Sequence, residues 1–229
     1  MKESDLLEHF PRLWHMAEDG SFNSIRKHGL LSTTALLDLY GLKGKQRHAL
    51  ESQHRPESVA IKKEGFPDVI VRDQKPMRES ALEKCLTGGL TTEEWYNILN
   101  DRAFFWLSRE RLRGLLGARA YRKRPQTVLT VDTASLLKAH RERIELSPLN
   151  SGATLYVPLL RGRETFQAIA DYPFDERRKT RAIDMSVVEL VVRGGVPDIA
   201  DHLIAAHRVH DGKQTELWRK PGTDADDGP

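Results

Sequence analysis

The run Met185-Ser-Val-Val-Glu-Leu-Val-Val192 constrains the fold most, because as a strand it is apolar on both sides of its pleat. Val187, Glu189 and Val191 share one side, and Val188, Leu190 and Val192 the other, so neither face is built for water. Glu189 is the exception within it. An unpaired buried charge costs many kcal/mol, and the usual escapes are a strong partner or a shifted pKa. Two readings follow: a functional carboxylate, or an edge-strand glutamate whose side chain reaches solvent.

At 229 residues the chain can bury one substantial core, and 39 % hydrophobic with 30 % charged residues is ordinary for a folded domain. We expect a single domain over residues 1–220, with Pro221-Gly-Thr-Asp-Ala-Asp-Asp-Gly-Pro229 as a disordered tail. No apolar run approaches the roughly 20 residues of a membrane span, and no signal-like segment opens the chain, so a cytoplasmic location is expected. Cys85 is the single cysteine, and the nine histidines lack metal-ligand spacing, so no metal is expected. No G-x-G-x-x-G or Walker pattern follows a strand, which argues against those nucleotide sites.

Local signals give many short strands mixed irregularly with short helices, an α+β pattern. Helices are expected at Ser4–His9, Phe22–His28 and between Ser32 and Gly41. Thr91-Thr-Glu-Glu94 makes a capping box, and Ser108 caps a basic helix reaching Ala120. Strands are expected at Leu13–Met16, Ala103–Leu107, Thr127–Val131 and Arg143–Leu146, and Asp211-Gly212 marks a hairpin turn. The polar stretch from Lys43 to Ser58 reads as a mobile or partner-facing insertion.

Positive charge is unevenly placed within a net +3. From Arg102 to Arg124 eight basic residues face the single acid Glu110, and Arg177, Arg178, Lys179 and Arg181 form a second cluster. Either could follow a phosphate backbone, or could be no more than solvated helix surface.

Three pieces carry a resemblance. Leu13-Trp-His15-Met-Ala with Phe22-Asn-Ser-Ile-Arg-Lys-His-Gly29-Leu-Leu, then Phe104-Phe105-Trp106-Leu107-Ser108, then Val188-Glu189-Leu-Val-Val192 with Gly194-Gly-Val-Pro197, resemble the three motifs of ADP-ribosyltransferase domains. The likeness spans residues 12 to 209 and is nearest to DNA-targeting toxins of the DarT type and to related uncharacterised bacterial proteins of that broad type. The middle motif departs from theirs, since Arg102-Ala-Phe-Phe-Trp lacks the proline and tyrosines.

The resemblance implies two small facing β-sheets around an NAD cleft with peripheral helices. It implies NAD as substrate, Glu189 as the central carboxylate and an arginine serving NAD, either Arg72 or Arg78. It further implies that His15, with Met16, binds the NAD ribose and that Asn23 and Ser24 lie near the cofactor. Either Phe105 or Trp106 would stack on nicotinamide, because neighbours on a strand point to opposite faces. Nucleic acid is the expected acceptor, along Arg109, Arg113, Arg122, Lys123, Arg124 and Arg178. An antitoxin partner is implied by analogy with the toxins. Alternatives are an NAD glycohydrolase, a transferase to protein or small molecules, or a catalytically silent module binding nucleic acid or a partner.

Overall fold

A computed structural model describes residues 1–155 and 159–229. In chain order the first elements are α1 (Glu3–His9), β1 (Arg12–Glu18), α2 (Phe22–His28), β2 (Leu30–Leu31), α3 (Thr33–Tyr40) and α4 (Gly44–Glu51). Then come β3 (Val59–Ile61), β4 (Val69–Val71), α5 (Glu79–Cys85), α6 (Thr92–Asn100), β5 (Arg102–Trp106) and α7 (Arg109–Leu116). The third quarter holds β6 (Gln126–Asp132), α8 (Thr133–His140), β7 (Ile144–Ser147), β8 (Gln167–Ala168), α9 (Phe174–Arg178) and α10 (Ile183–Ser186). The chain finishes with β9 (Glu189–Arg193), β10 (Gly195–Val196), α11 (Ile199–His202), β11 (Leu203–His210) and β12 (Lys213–Arg219).

The fold is α+β around an antiparallel sheet in the order β12-β11-β6-β1-β5-β9-β7-β8, with β10-β2 and β3-β4 as small separate pairs. The two separate facing sheets that we expected are therefore hydrogen-bonded into one. They are joined at a thin seam. β1 matches β6 along seven consecutive residues but meets β5 at one registered pair, Trp14 opposite Trp106. Beyond that pair the halves diverge, and backbone groups along both lips need other partners.

Period-2 alternation sorts the side chains. Leu13, Ala103, Phe105, Leu190 and Val192 enter the main core with α1, α2, α8, α9 and α11 over them. Trp14, Met16 and Trp106 pack with Leu112 of α7 on the opposite face, while Val191 and Phe104 meet α5 and α6 there. The double coverage explains why β9 is apolar on both sides. Glu189 is 4 % exposed, so the solvent-facing edge reading is excluded.

Capping signals act as the chemistry requires. Thr91 and Glu94 form the reciprocal box, and Ser32 and Ser108 accept from Ala35 N–H and Arg111 N–H. Asp211 and Gly212 have φ of 50° and 72°, the paired left-handed conformation of a tight hairpin. Three local expectations differ. The basic helix stops at Leu116, and residues 44–51 of the expected insertion form α4, where Arg47 Nε donates to Glu51 Oε2 at 2.6 Å.

The third difference is residues 221–229, which pack instead of straying into solvent. Asp227, Gly228 and Pro229 are buried, with Arg12 Nε donating to Asp227 Oδ1 at 2.7 Å. Gly29 is fixed by packing: a Cβ there would lie 2.6 Å from Pro197 Cα, so the α2 exit and the Val-Pro segment touch through backbone. Among the described residues no helix is long and apolar enough to cross a membrane.

Candidate functional site

Where the sheet halves part, a cavity of about 800 Å³ opens. Its lining includes His15, Met16, Asn23, Ser24, Arg72, Phe105, Trp106 and Glu189, which come from β1, α2, the segment after β4, β5 and β9. The volume lies in the usual range for a small-molecule or cofactor site.

The lips of the seam account for two of these residues. Phe104 O on β5 accepts a hydrogen bond from His15 Nδ1 at 2.8 Å, and Met16 O on β1 accepts from Arg72 Nη1 at 3.2 Å. Each carbonyl lacks a partner strand where the halves diverge, so a side chain serves in its place. Because a carbonyl only accepts, His15 carries its proton on Nδ1 and leaves Nε2 as a bare acceptor. Burial lowers its pKa to about 4, and the nearby Arg72 charge adds to that, so the ring is neutral at physiological pH.

Arg72 is held over the Tyr121 ring at 5.2 Å, and its Nη2 is buried with no hydrogen-bond partner among the described residues. A guanidinium N–H left unpaired beside a cavity is a ready donor for an anionic ligand. Tyr121 in turn donates to Asp73 Oδ1 at 2.9 Å.

Glu189 lies in a row that crosses four strands on one sheet face: Trp14, Trp106, Glu189 and Ser147. Past Ser147 the chain doubles back, with Ser147 Oγ accepting from Leu149 N–H at 3.3 Å, and returns Ser151 onto the acid. Ser151 N–H and Oγ–H both donate to Glu189 Oε2, at 3.1 and 2.7 Å. Arg161 Nη1 holds the Ser151 carbonyl at 2.9 Å, which fixes the turn. Burial raises the Glu189 pKa to about 7, against the opposing pull of the two Ser151 hydrogen bonds and of the Arg111 and Arg161 charges. One oxygen is anchored, and Oε1 accepts no hydrogen bond among the described residues.

The remaining sequence candidates divide. Phe105 is 1 % exposed and belongs to the core, so the face available for stacking is that of Trp106. Arg78 is exposed and outside the cavity lining, which leaves Arg72 as the arginine of the site. Arg124 is engaged with Glu18 at 3.0 Å and Asp73 at 3.7 Å, and Arg109 is taken by residues 226–228, so neither is a free basic contact. Arg113, Arg122, Lys123 and Arg178 are exposed.

Ser151, Arg111 and Arg161 escaped sequence reasoning. Asn150-Ser-Gly152 reads only as a turn, and nothing local ties it to a glutamate 38 positions on. A further cluster, His140, Asp198 and His202, has metal-like spacing. Arg143 Nη2 donates to His140 Nδ1 at 2.6 Å, so the His140 proton sits on Nε2, where it donates to Asp198 Oδ1 at 2.7 Å. These bonds, with His202 Nδ1 and Ser135 Oγ at 3.1 Å, tie α8 to α11.

Fold and site together define an α+β protein whose antiparallel sheet opens a ligand-sized cavity over a buried, hydrogen-bonded glutamate. The chain belongs to the family of unknown function DUF7002, whose model matches residues 11–203. That span includes His15, Arg72, Ser151 and Glu189. No curated protein matches the chain.

Proposed function

We propose that this protein is an ADP-ribosyltransferase that uses NAD as substrate and carries the transfer at Glu189. The observation supporting it most is the convergence of His15, Arg72, Trp106 and Glu189, remote in sequence, on one cavity. They bring a neutral acceptor nitrogen, an unpaired guanidinium donor, an aromatic face and a carboxylate. These four fit a ribose hydroxyl, a pyrophosphate, a nicotinamide ring and a sugar that gains positive charge.

The chemistry follows from the atoms. The bond between ribose C1′ and nicotinamide nitrogen breaks, the electron pair leaves with nicotinamide, and an acceptor oxygen or nitrogen bonds to C1′ as its proton departs. The sugar passes through an oxocarbenium-like state, as in glycoside cleavage. Glu189, pinned by Ser151 through Oε2, turns Oε1 toward that charge without reorganising, where a dry site strengthens the attraction. With a pKa of about 7 the same carboxylate can take the acceptor's proton near neutral pH.

Nucleic acid is the proposed acceptor, on the strength of exposed Arg113, Arg122, Lys123 and Arg178. Labelled NAD incubated with separate pools of DNA, RNA and protein tests both statements, with Glu189→Gln as control. Transfer of label to nucleic acid is expected from wild type alone. Nicotinamide release at the same background rate from both proteins defeats the enzyme reading, and label on protein or water defeats the acceptor.

A further inference from the structure

Residues 224–229 lie in a groove beside the seam, and the side-chain hydrogen bonds that the fold makes to them all come from N–H donors. Arg12 Nε and Nη2 grip the Asp227 carboxylate at 2.7 and 3.1 Å. Trp14 Nε1 and Arg109 Nε both donate to Gly228 O, at 3.0 and 2.9 Å, and Arg109 Nη2 donates to Asp226 O. Arg219 donates to the carbonyls of Asp224, Ala225 and Asp227, and Gln214 Nε2 to Pro229 O at 3.0 Å. Every one of these contacts runs from a fold N–H to an oxygen of the segment. Such a surface reads a line of oxygens and negative charge, with little regard to the side chains of its occupant.

The occupant fits loosely. Under it remains a cavity of about 330 Å³, walled by Phe10, Arg12, Trp14 and Arg109 on one side and Asp224, Asp226 and Asp227 on the other. More positive charge follows Arg109 along the chain. Arg109 and Arg113 are one helical turn apart on α7, and exposed Arg119, Arg122 and Lys123 follow. Arg109 stacks over the Trp14 ring at 5.4 Å, giving a cation beside an aromatic floor.

The groove also leads to the site. Trp14 and Glu189 share one sheet face two strands apart, roughly 10 Å at the usual strand spacing. α7 bridges the distance, with Arg109 over Trp14 and the Arg111 charge felt by Glu189.

We propose that the Arg12–Trp14–Arg109–Arg219 groove is the binding track for a single nucleic-acid strand, and that residues 224–229 occupy it as an internal competitor. This rests on the nucleic-acid acceptor named above. Phosphate oxygens would replace the carboxylate and carbonyl oxygens, and a base would enter the space above Trp14.

The test is anisotropy of labelled oligo(dT) and oligo(U) on the full chain, wild type against the triple variant Asp224→Asn/Asp226→Asn/Asp227→Asn. A competitor that closes the groove most of the time weakens apparent binding by the open fraction, so the variant should bind roughly ten-fold tighter. Its affinity should also fall more steeply with salt, since Arg12, Arg109 and Arg219 become available to phosphates. Adding Arg12→Ala/Arg109→Ala to the variant should return binding to the wild-type level. A chain ending at Lys220, checked by thermal melt, should bind at least as tightly as the triple variant.

Equal binding by wild type and both tail variants overturns the proposal, as does a gain that labelled poly-glutamate shows and the oligonucleotides do not. Nicotinamide release is read in the same samples. Tight binding without turnover sinks the enzyme reading alone, and turnover without any change in binding sinks the groove alone.

Discussion

Two concavities flank β1, and they differ in how their polar atoms are used. In the groove beside Trp14 the donors of Arg12, Arg109 and Arg219 are matched to oxygens of residues 224–229. In the seam cavity His15, Arg72 and Glu189 each satisfy one atom within the protein, and Arg72 Nη2 stays buried without a partner among the described residues. An unpaired buried donor is costly in a folded chain, so Arg72 Nη2 is the seam's open contact, whereas the groove's donors are matched within the protein. Removing groups from the seam should therefore change turnover, substrate affinity or pH dependence.

The largest effect is expected from Glu189→Gln. Glutamine keeps an oxygen for Ser151 but carries no charge, so nicotinamide release should fall by about 10²–10³ at saturating NAD with the melt still cooperative, the range for losing one preorganised electrostatic group. A variant with wild-type turnover would make the seam acid a packing residue. Next comes Arg72→Ala. Loss of the unpaired donor should raise the KM for NAD about ten-fold or more and change kcat less, as expected for a group that binds without stabilising the transition state alone. Arg78→Ala, exposed and outside the cavity, should leave both constants unchanged.

A smaller effect tests how the acid is tuned. Ser151 Oγ donates to Glu189 at 2.7 Å and favours the ionised form. Ser151→Ala removes that donor and keeps the backbone N–H, so the Glu189 pKa should rise above about 7. The acid limb of the pH–rate profile should then move to higher pH, while the rate on the alkaline plateau changes little. An unmoved limb would assign it to another group.

Much of this was legible in the sequence because it is local. Ser32, Thr91 and Ser108 cap helices through bonds to residues three positions away, and Asp211-Gly212 turns a hairpin by its own backbone preference. The apolar character of both faces around Glu189 was readable for the same reason, while its burial was decided by the strands on either side of β9. What was not legible depends on partners distant in sequence. The Asp- and Gly-rich composition of residues 221–229 signals disorder, yet Arg12, 215 positions from Asp227, holds it. The seam itself exists because β1 and β5 pair at Trp14 and Trp106 and then part, and no periodicity within either strand records that. Ser151 is a turn residue until the register of β7 against β9 brings it over the acid.

The last effect is on stability and not on turnover, and its sign separates a buried acid from a merely shielded one. The Glu189 carboxyl titrates at about 7 in the fold, against roughly 4.3 in an unfolded chain. Between those values the folded protein holds a proton that the unfolded chain has lost, so this residue makes stability fall as pH rises through the window and level off above it. Burial lowers the His15 pKa to about 4, against roughly 6.5 unfolded, so His15 gives the opposite slope over part of the same range. His15 is present in both Glu189→Gln and wild type and cancels in their difference. The melting temperature of the variant minus that of wild type should therefore grow between about pH 4.5 and 7.5, by an amount on the order of 3 kcal/mol when converted to free energy. A difference that stays constant across that range would mean that Glu189 ionises as it would in water, and the seam would then differ from the groove in shape alone.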